Sequence, residues 1–360
     1  MAARVIIMAG GTGGHVFPAL AVAEELRARG CEVSWLGTPD SFEARTVPQY
    51  GFAIDVIDSF RLRGQGLLNT LLAPLRLLRA MAQAMGVLRR RRPQVVLGMG
   101  GFASGPGGLM SRVLRMPLVI HEQNTIPGLT NRWLAKLATR TLQAFPDSFP
   151  AQVGAKVCGN PIRAAITELP EPQQRLPQHR NAQQVRLLVM GGSLGAQALN
   201  EIVPQALALL DGDARPQVFH QAGRNKLEVT EQHYRDAGVQ AQVSEFINDM
   251  PSAYANADLV ICRSGALTVS ELAAVGVAAI LVPFPFAVDD HQTRNAQFLV
   301  DAGAARLVQQ RELSPQGLAA WLRELCNEPA RLREMAIKAR ELAQPQATAC
   351  VADVCQEVMA

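Results

Sequence analysis

A chain of 360 residues is too long for one typical domain and comfortable for two. With 48% hydrophobic and 18% charged residues it can bury a large core, which excludes global disorder. A formal net charge of +4 is too small to argue for nucleic acid as a partner, although arginines cluster at Arg89 to Arg92.

The chain enters an apolar run, Val5 to Met8, without a charged region and apolar core of a secretory signal. No apolar stretch approaches the ~18 residues of a spanning helix. The six cysteines, Cys31, Cys158, Cys262, Cys326, Cys350 and Cys355, show no CxxC and no metal-ligand spacing. They are expected to be buried free thiols of a protein in the reducing cytoplasm.

The first run leads into Gly10-Gly11-Thr12-Gly13-Gly14-His15 and then a helical segment from about Pro18 to Arg29. Strand, glycine turn and helix open a βαβ unit whose backbone N–H groups can approach an anion. The dinucleotide fingerprint would need a third glycine at Val16 and an acid near Gly37-Thr38, and neither is there. His15 instead puts an imidazole inside the turn. The bland alternative is a packed turn whose histidine caps the helix.

Strands are expected at Val33 to Leu36, Ile54 to Ile57, Val95 to Leu97, Leu118 to Ile120 and Thr141 to Ala144. A helical stretch covers 67–88, and another runs from about Leu129 to Thr139. The third strand of these ends in a second glycine loop, Gly98-Met99-Gly100-Gly101, and the fourth in His121-Glu122-Gln123-Asn124. From Gly159 to Arg186 the prolines Pro170, Pro172 and Pro177 mark a linker. The opening motif then returns as strand Val185 to Met190 followed by Gly191-Gly192-Ser193-Leu194-Gly195. Further strands are expected at Gln217 to His220, Val243 to Ile247, Leu259 to Cys262 and Ala279 to Val282.

This alternation implies an α/β chain of two Rossmann-like halves with parallel sheets. The expected domains are 1–159, joined by a C-terminal helix within 345–360, and 160–344. Two such halves facing each other would share one cleft at their strand ends. After Cys262, Arg263-Ser264-Gly265 and the helix beginning near Ala266 could receive a phosphate, and Glu271 lies where a carboxylate can hold ribose hydroxyls. The bland reading is a capped helix with one surface acid.

Over 67–88, Leu68, Leu71, Leu72, Leu75, Leu78, Ala82 and Met85 recur at helical spacing, while Leu67, Leu77 and Met81 widen the apolar arc. With Arg76, Arg79 and Arg89 to Arg92 around it, the segment reads either as a core helix or as a docking face for an anionic membrane.

Taken together, the glycine loops, His121 to Asn124, Gly159-Asn160-Pro161-Ile162-Arg163 and Arg263 to Glu271 resemble the bacterial MurG family, from Val5 to about Gly303. The resemblance implies a GT-B fold and an inverting transfer of GlcNAc from UDP-GlcNAc to the C4 hydroxyl of lipid-linked MurNAc-pentapeptide, lipid I. It implies a peripheral position on the cytoplasmic face of the inner membrane, partners among cell-wall synthesis proteins, and neither metal nor other cofactor. Carried over by position, Thr12, Gly13, Gly14 and Asn124 meet the donor, and Arg163 and Ser193 approach its nucleotide and phosphates. Ile247 meets uracil through its backbone. Arg263, Ala266, Leu267, Thr268, Val269, Ser270 and Glu271 flank the phosphates and ribose, and Gln292 holds sugar hydroxyls. The stretch Phe284 to Asp290 departs from the enterobacterial pattern. Inversion needs a base, for which His15 stands first and Glu122 second. His121 fits a hydrogen-bonded structural role, and His179, His220 and His233 carry no motif. The rival readings are another GT-B enzyme (a diacylglycerol glycosyltransferase or a UDP-GlcNAc 2-epimerase), a nucleotide-sugar binding module without turnover, and a disfavoured NAD oxidoreductase.

Overall fold

Strand β1 (Arg4–Met8) is apolar at four successive positions and buried at all four. That is the signature of a parallel strand covered on both faces. A computed structural model describes residues 2–58, 73–176 and 184–359. From β1 the chain runs through α1 (Gly13–Ala28), β2 (Glu32–Gly37), α2 (Phe42–Thr46), β3 (Ala53–Val56), α3 (Ala73–Arg91), β4 (Val95–Gly98) and α4 (Ser104–Val113). Then come β5 (Leu118–Glu122), α5 (Leu129–Leu134), β6 (Arg140–Gln143) and β7 (Lys156–Val157). These strands form one parallel sheet of seven, in the order β3-β2-β1-β4-β5-β6-β7.

The second sheet begins after two short helices, α6 (Ala164–Thr167) and α7 (Pro172–Arg175). It takes β8 (Arg186–Met190), β9 (Gln217–Gln221), β10 (Gln242–Ser244), β11 (Leu259–Cys262), β12 (Ala278–Leu281) and β13 (Ala305–Leu307). Their order is β10-β9-β8-β11-β12-β13. The helices between them are α8 (Gln197–Ala208), α9 (Leu227–Asp236), α10 (Met250–Ala255), α11 (Ala266–Val275) and α12 (His291–Asp301). After β13 follow α13 (Pro315–Asn327), α14 (Pro329–Glu341) and α15 (Ala347–Glu357).

The chain divides into two compact units, residues 1–163 with 344–360, and residues 164–343. In the first, alternation along β1 feeds two cores. Val5 and Ile7 join residues of α1 and α15 on one face. Ile6 and Met8 join residues of α3 and α4 on the other. Helix α15 reaches this unit by packing on α1, and Arg29 donates to Asp353 and Gln356 to hold it there. In the second unit Leu187 and Val189 pack against α8 and α13.

Several expected boundaries move. Helix α1 begins at Gly13, four residues into the glycine loop and ahead of Pro18, which sits in an early turn. Strand β5 continues through His121 and Glu122, and both are buried. Strands β7 and β13, of two and three residues, were not expected from the pattern. The run Val243 to Ile247 leaves its sheet after Ser244.

The cysteine expectation fails for one pair: Cys158 and Cys350 form a disulfide with a Cα–Cα distance of 5.9 Å. The packing of α15 brings Cys350 to the residue after β7, across 192 residues of sequence. Cys31, Cys262, Cys326 and Cys355 are free, and Cys326 is only partly buried. Among the described residues no helix is long and apolar enough to cross a membrane. The expectations for 67–72 and for His179 lie outside the described residues.

Candidate active site

The loops that end β1 and β4 belong to neighbouring strands from which the chain winds in opposite directions, a topological switch point. They touch. Gly100 and Gly101 both have φ of +94°, and a Cβ at Gly100 would stand 3.0 Å from the His15 ring. At Gly101 a Cβ would stand 2.7 Å from the backbone of Gly10. Glycine here lets one loop lie flat on the other.

Thr12 is the N-cap of α1 but makes no side-chain cap, and Thr12 and Gly14 are exposed while Gly13 is half-buried. Beneath the loop, Glu43 is buried and accepts from the Gly11 N–H at 3.0 Å and from the Thr38 hydroxyl at 2.8 Å. Burial alone would raise its pKa, but these hydrogen bonds hold it below the usual carboxylate value. A buried carboxylate already takes the Gly11 N–H, so this loop is a poorer anion cradle than its glycines suggest.

His15 is half-buried, and its Nδ1 lies 2.8 Å from Gln123 Oε1. The Gln123 amide nitrogen lies 3.2 Å from His121 Nδ1, and His121 Nε2 donates to the Gly159 carbonyl at 2.8 Å. His121 is fully buried, and burial pushes its pKa down to about 4. It is the structural histidine of the motif. Gln123 was not among the expected site residues, because a glutamine carries no titratable signal.

Glu122 is 1% exposed. Its Oε1 accepts from the Asn124 backbone and side chain at 2.9 and 3.2 Å, and its Oε2 from Gly128 N–H and Asn131 Nδ2 at 3.1 and 2.8 Å. The carboxylate therefore anchors the loop that carries Asn124, itself half-buried. Arg163 is half-buried in the same unit.

In the second unit the corresponding switch point lies between β8 and β11. Helix α11 starts with Gly265 as an extended N-cap, and no side chain caps it. Its first-turn N–H groups and dipole favour an anion. Just before it, Ser264 is fully buried, and its Oγ has no hydrogen-bond partner among the described residues. A buried hydroxyl in that state carries an unmet hydrogen bond. Ser264 was seen in the sequence only as a small residue.

Ala266, Val269 and Glu271 are buried, while Leu267, Thr268 and Ser270 are half-buried. Ser270 donates back to the Ala266 carbonyl at 2.9 Å. Glu271 Oε2 accepts from the Tyr254 hydroxyl at 2.9 Å. The Arg263 guanidinium donates to the carbonyls of Val282 and Pro283, each at 3.0 Å, and to Gln310. It also lies 5.7 Å from the Phe284 ring centroid. Gln292 accepts from the Phe284 N–H at 2.9 Å, and Asn295 donates to the Ser264 carbonyl. Arg263, the α11 start, Gln292 and the loop after β12 are thus one cluster.

Ser193 and Ile247 belong to a second cluster. The exposed Ser193 accepts at its carbonyl from Arg224 N–H at 3.2 Å, and Glu245 accepts from Asn225 N–H at 2.6 Å. Half-buried Ile247, with Phe246, lines a cavity of about 550 Å³ under α10. That cavity also reaches Arg186, Gln217 and Gln242, the first residues of β8, β9 and β10, so it runs along the sheet toward the N-terminal ends of these strands. The chain's one Asp-x-Asp triplet, Asp211-Gly212-Asp213, enters β9 at the opposite edge from the strand ends.

The N-terminal domain of glycosyltransferase family 28 matches residues 5–143, and its C-terminal domain matches residues 186–351. Across the full length of both chains, this chain is 53% identical to the UDP-N-acetylglucosamine--N-acetylmuramyl-(pentapeptide) pyrophosphoryl-undecaprenol N-acetylglucosamine transferase of Nitrosospira multiformis. It is 54% identical to the protein of the same name from Ralstonia nicotianae, over 98% of this chain and 95% of that one. The crystal structure of Acinetobacter baumannii MurG superposes with a TM-score of 0.87 at 44% identity, covering 99% of each chain. A UDP-GlcNAc 2-epimerase from Neisseria meningitidis, at 13% identity and a TM-score of 0.66, shares the fold alone. The two sheets of seven and six parallel strands are the Rossmann-like domains of a GT-B fold, and the chain belongs to glycosyltransferase family 28.

Proposed function

We propose that this enzyme transfers GlcNAc from UDP-GlcNAc to the C4 hydroxyl of lipid I, with inversion, to give the β-1,4 bond of lipid II. The observation that carries the reading is full-length identity above 50% to relatives named for that transfer, with no part of the chain left unmatched. The site residues support it. The second unit holds UDP. Uracil meets the Ile247 backbone, Ser193 approaches the nucleotide and its phosphates, and the ribose hydroxyls reach Glu271. The diphosphate takes the N–H groups of Ala266 to Thr268 and the Ser264 hydroxyl at the start of α11. Arg263 holds the loop after β12 in place beside them, and Gln292, with Thr12, Gly13, Gly14 and Asn124, serves the sugar.

His15 takes the proton from the C4 hydroxyl as its oxygen bonds to the anomeric carbon of GlcNAc. The bond from that carbon to the phosphate oxygen breaks on the opposite face, and the charge left on UDP is met by the dipole and N–H groups of α11. Glu122, with three hydrogen bonds from its own loop and one from Asn131 on α5, supports Asn124.

The first unit also docks on the cytoplasmic leaflet of an anionic membrane. Leu75, Leu77 and Leu78 on α3 are 66, 42 and 61% exposed, and Arg76 and Arg79 lie among them. Trp133 on α5 is 63% exposed, with Lys136 over its ring at 4.8 Å. Apolar side chains set among cations fit an anionic interface.

The test is transfer of radiolabelled UDP-GlcNAc to lipid I and, in parallel, to diacylglycerol, by wild type and by His15→Ala. Label should enter only lipid I, and the variant should lose ~10²–10⁴-fold in kcat with unchanged UDP-GlcNAc affinity and unchanged thermal unfolding. Label in diacylglycerol alone, or release of UDP without transfer, would sink the reading.

A further inference from the structure

We propose that Gln123 fixes the tautomer of His15, holding its proton on Nδ1 and its lone pair on Nε2, and so acts as the positioning residue of the base. The inference rests on the reading of His15 as the base and deepens it.

The assignment starts from a group with no choice. The Gly159 carbonyl can only accept, and His121 Nε2 lies 2.8 Å from it, so the His121 proton is on Nε2. His121 Nδ1 is then bare and must accept. The atom facing it at 3.2 Å is therefore the NH₂ group of Gln123, which also lies 3.2 Å from the His121 carbonyl oxygen. Turning the amide over would point its oxygen at a bare nitrogen and a carbonyl oxygen together. The amide orientation is thus decided twice.

With the NH₂ group committed to His121, Gln123 Oε1 faces His15 Nδ1 at 2.8 Å, and an amide oxygen can only accept. His15 must donate through Nδ1, and in the neutral ring the electron pair is on Nε2. Nothing in this chain of bonds is loose. Gln123 is 1% exposed, its own carbonyl accepts from Asn160 Nδ2 at 3.0 Å, and the His15 ring lies against Gly100. Burial keeps His121 neutral down to about pH 4, so the relay keeps its direction at any pH near neutrality. A general base needs its lone pair aimed before the substrate arrives, and here three fixed side chains aim it.

The test combines ¹⁵N NMR of histidine-labelled enzyme, in which the His15 signals are assigned by their loss in His15→Ala, with steady-state kinetics. Wild type should show the His15 proton on Nδ1. Gln123→Met should populate the Nε2–H form and lower kcat by about tenfold to a hundredfold, less than loss of the base itself, with KM for UDP-GlcNAc within about twofold. Gln123→Glu, in a variant shown to fold, keeps an acceptor opposite Nδ1, adds a charge and removes the NH₂ group that met His121 Nδ1 and the His121 carbonyl. It should retain the Nδ1–H form and move the acid limb of the kcat profile up by about one pH unit, which a merely structural glutamine would not do. A wild-type His15 protonated on Nε2, or a folded Gln123→Met with unchanged tautomer and kcat, overturns the proposal. If Gln123→Met does not fold, the wild-type spectrum and the Gln123→Glu profile decide. Should His15→Ala keep full activity, the base reading fails alone, because the spectrum still judges the tautomer.

Discussion

Glu271 is 8% exposed and accepts the Tyr254 hydroxyl, so removing it has two effects to be separated. Glu271→Ala would take an acceptor from the fully buried Tyr254 hydroxyl as well as from the ribose, and losing a hydrogen bond to a charged group costs about 1.5–3 kcal/mol by itself. Glu271→Gln keeps an oxygen for Tyr254, loses the charge and sets an NH₂ donor where the second acceptor oxygen was. A hydrogen bond to a charged acceptor exceeds a neutral one by about 1 kcal/mol, so UDP affinity should fall about fivefold with the melting temperature held. Calorimetric titration that finds the same affinity in Glu271→Gln would remove Glu271 from the ribose site. At this scale the sequence displays residues whose chemistry is intrinsic, such as His15 or the acid at Glu271. It hides those whose chemistry is conferred. Gln123 becomes informative only once β5 buries it between two histidines, and the Ser264 hydroxyl only once burial leaves it without a partner. The converse also occurs. Arg263 advertises a phosphate ligand in the sequence, yet its guanidinium is bonded to two carbonyls and Gln310.

Among the elements, α3 shows how a helical apolar pattern can serve two purposes along one length. Ala80, Ala84, Val87 and Leu88 are buried, whereas every residue from Pro74 to Arg79 is exposed. The second half is therefore a core helix, and among the described residues the first half is left exposed, with Arg79 paired to Asp58. The core reading holds for the second half, the docking reading for the first half is the proposal made above, and periodicity alone could not divide them, because it records spacing and not what lies opposite. Replacing Leu75 and Leu78 by Ser together with Arg79→Glu should reduce sedimentation with vesicles containing anionic lipid. Each exposed cation near such a surface is worth about 1 kcal/mol, so reversing one charge and removing two apolar side chains should weaken binding at least tenfold. Turnover of a short-chain, soluble lipid I analogue should persist, because no core residue is touched. Unchanged sedimentation would return this face to some other role. Strands were legible wherever both faces are buried, as in β1, β4, β8 and β11, since each is a continuous apolar run. Edge strands escape that rule. Strand β7 is exposed at both of its residues, and β13 carries Arg306 at its centre, so neither has the pattern that names a strand.

For the whole molecule, acid sensitivity follows from one buried neutral histidine in each unit. His220 accepts the Tyr234 hydroxyl at Nδ1, 2.8 Å away, and faces Asn200 Oδ1 with Nε2 at 3.1 Å, while Asn200 Nδ2 is committed to the Ala222 carbonyl. Burial pushes its pKa down to about 3, as it pushes that of His121 to about 4. Protonation would add an N–H where each Nδ1 now accepts, and would charge a site that holds no acid. A depressed histidine pKa means that the unfolded chain binds the proton first. Stability is therefore complete above the unfolded pKa of about 6.5 and falls as the pH drops below it, levelling only when the folded pKa is passed. At pH 5 each group should cost its unit about 2 kcal/mol relative to pH 7. Hydrogen exchange over β5 and over β9 reads the two units separately, and protection in both should decline between pH 7 and pH 5. The exchange rates must first be corrected for the intrinsic pH dependence of amide exchange. His220→Gln supplies a donor and an acceptor that do not titrate. In that variant β9 should lose most of its pH dependence while β5 keeps its own. If β9 declines as steeply in a folded His220→Gln as in wild type, the acid sensitivity comes from other groups and the burial of His220 does not set it.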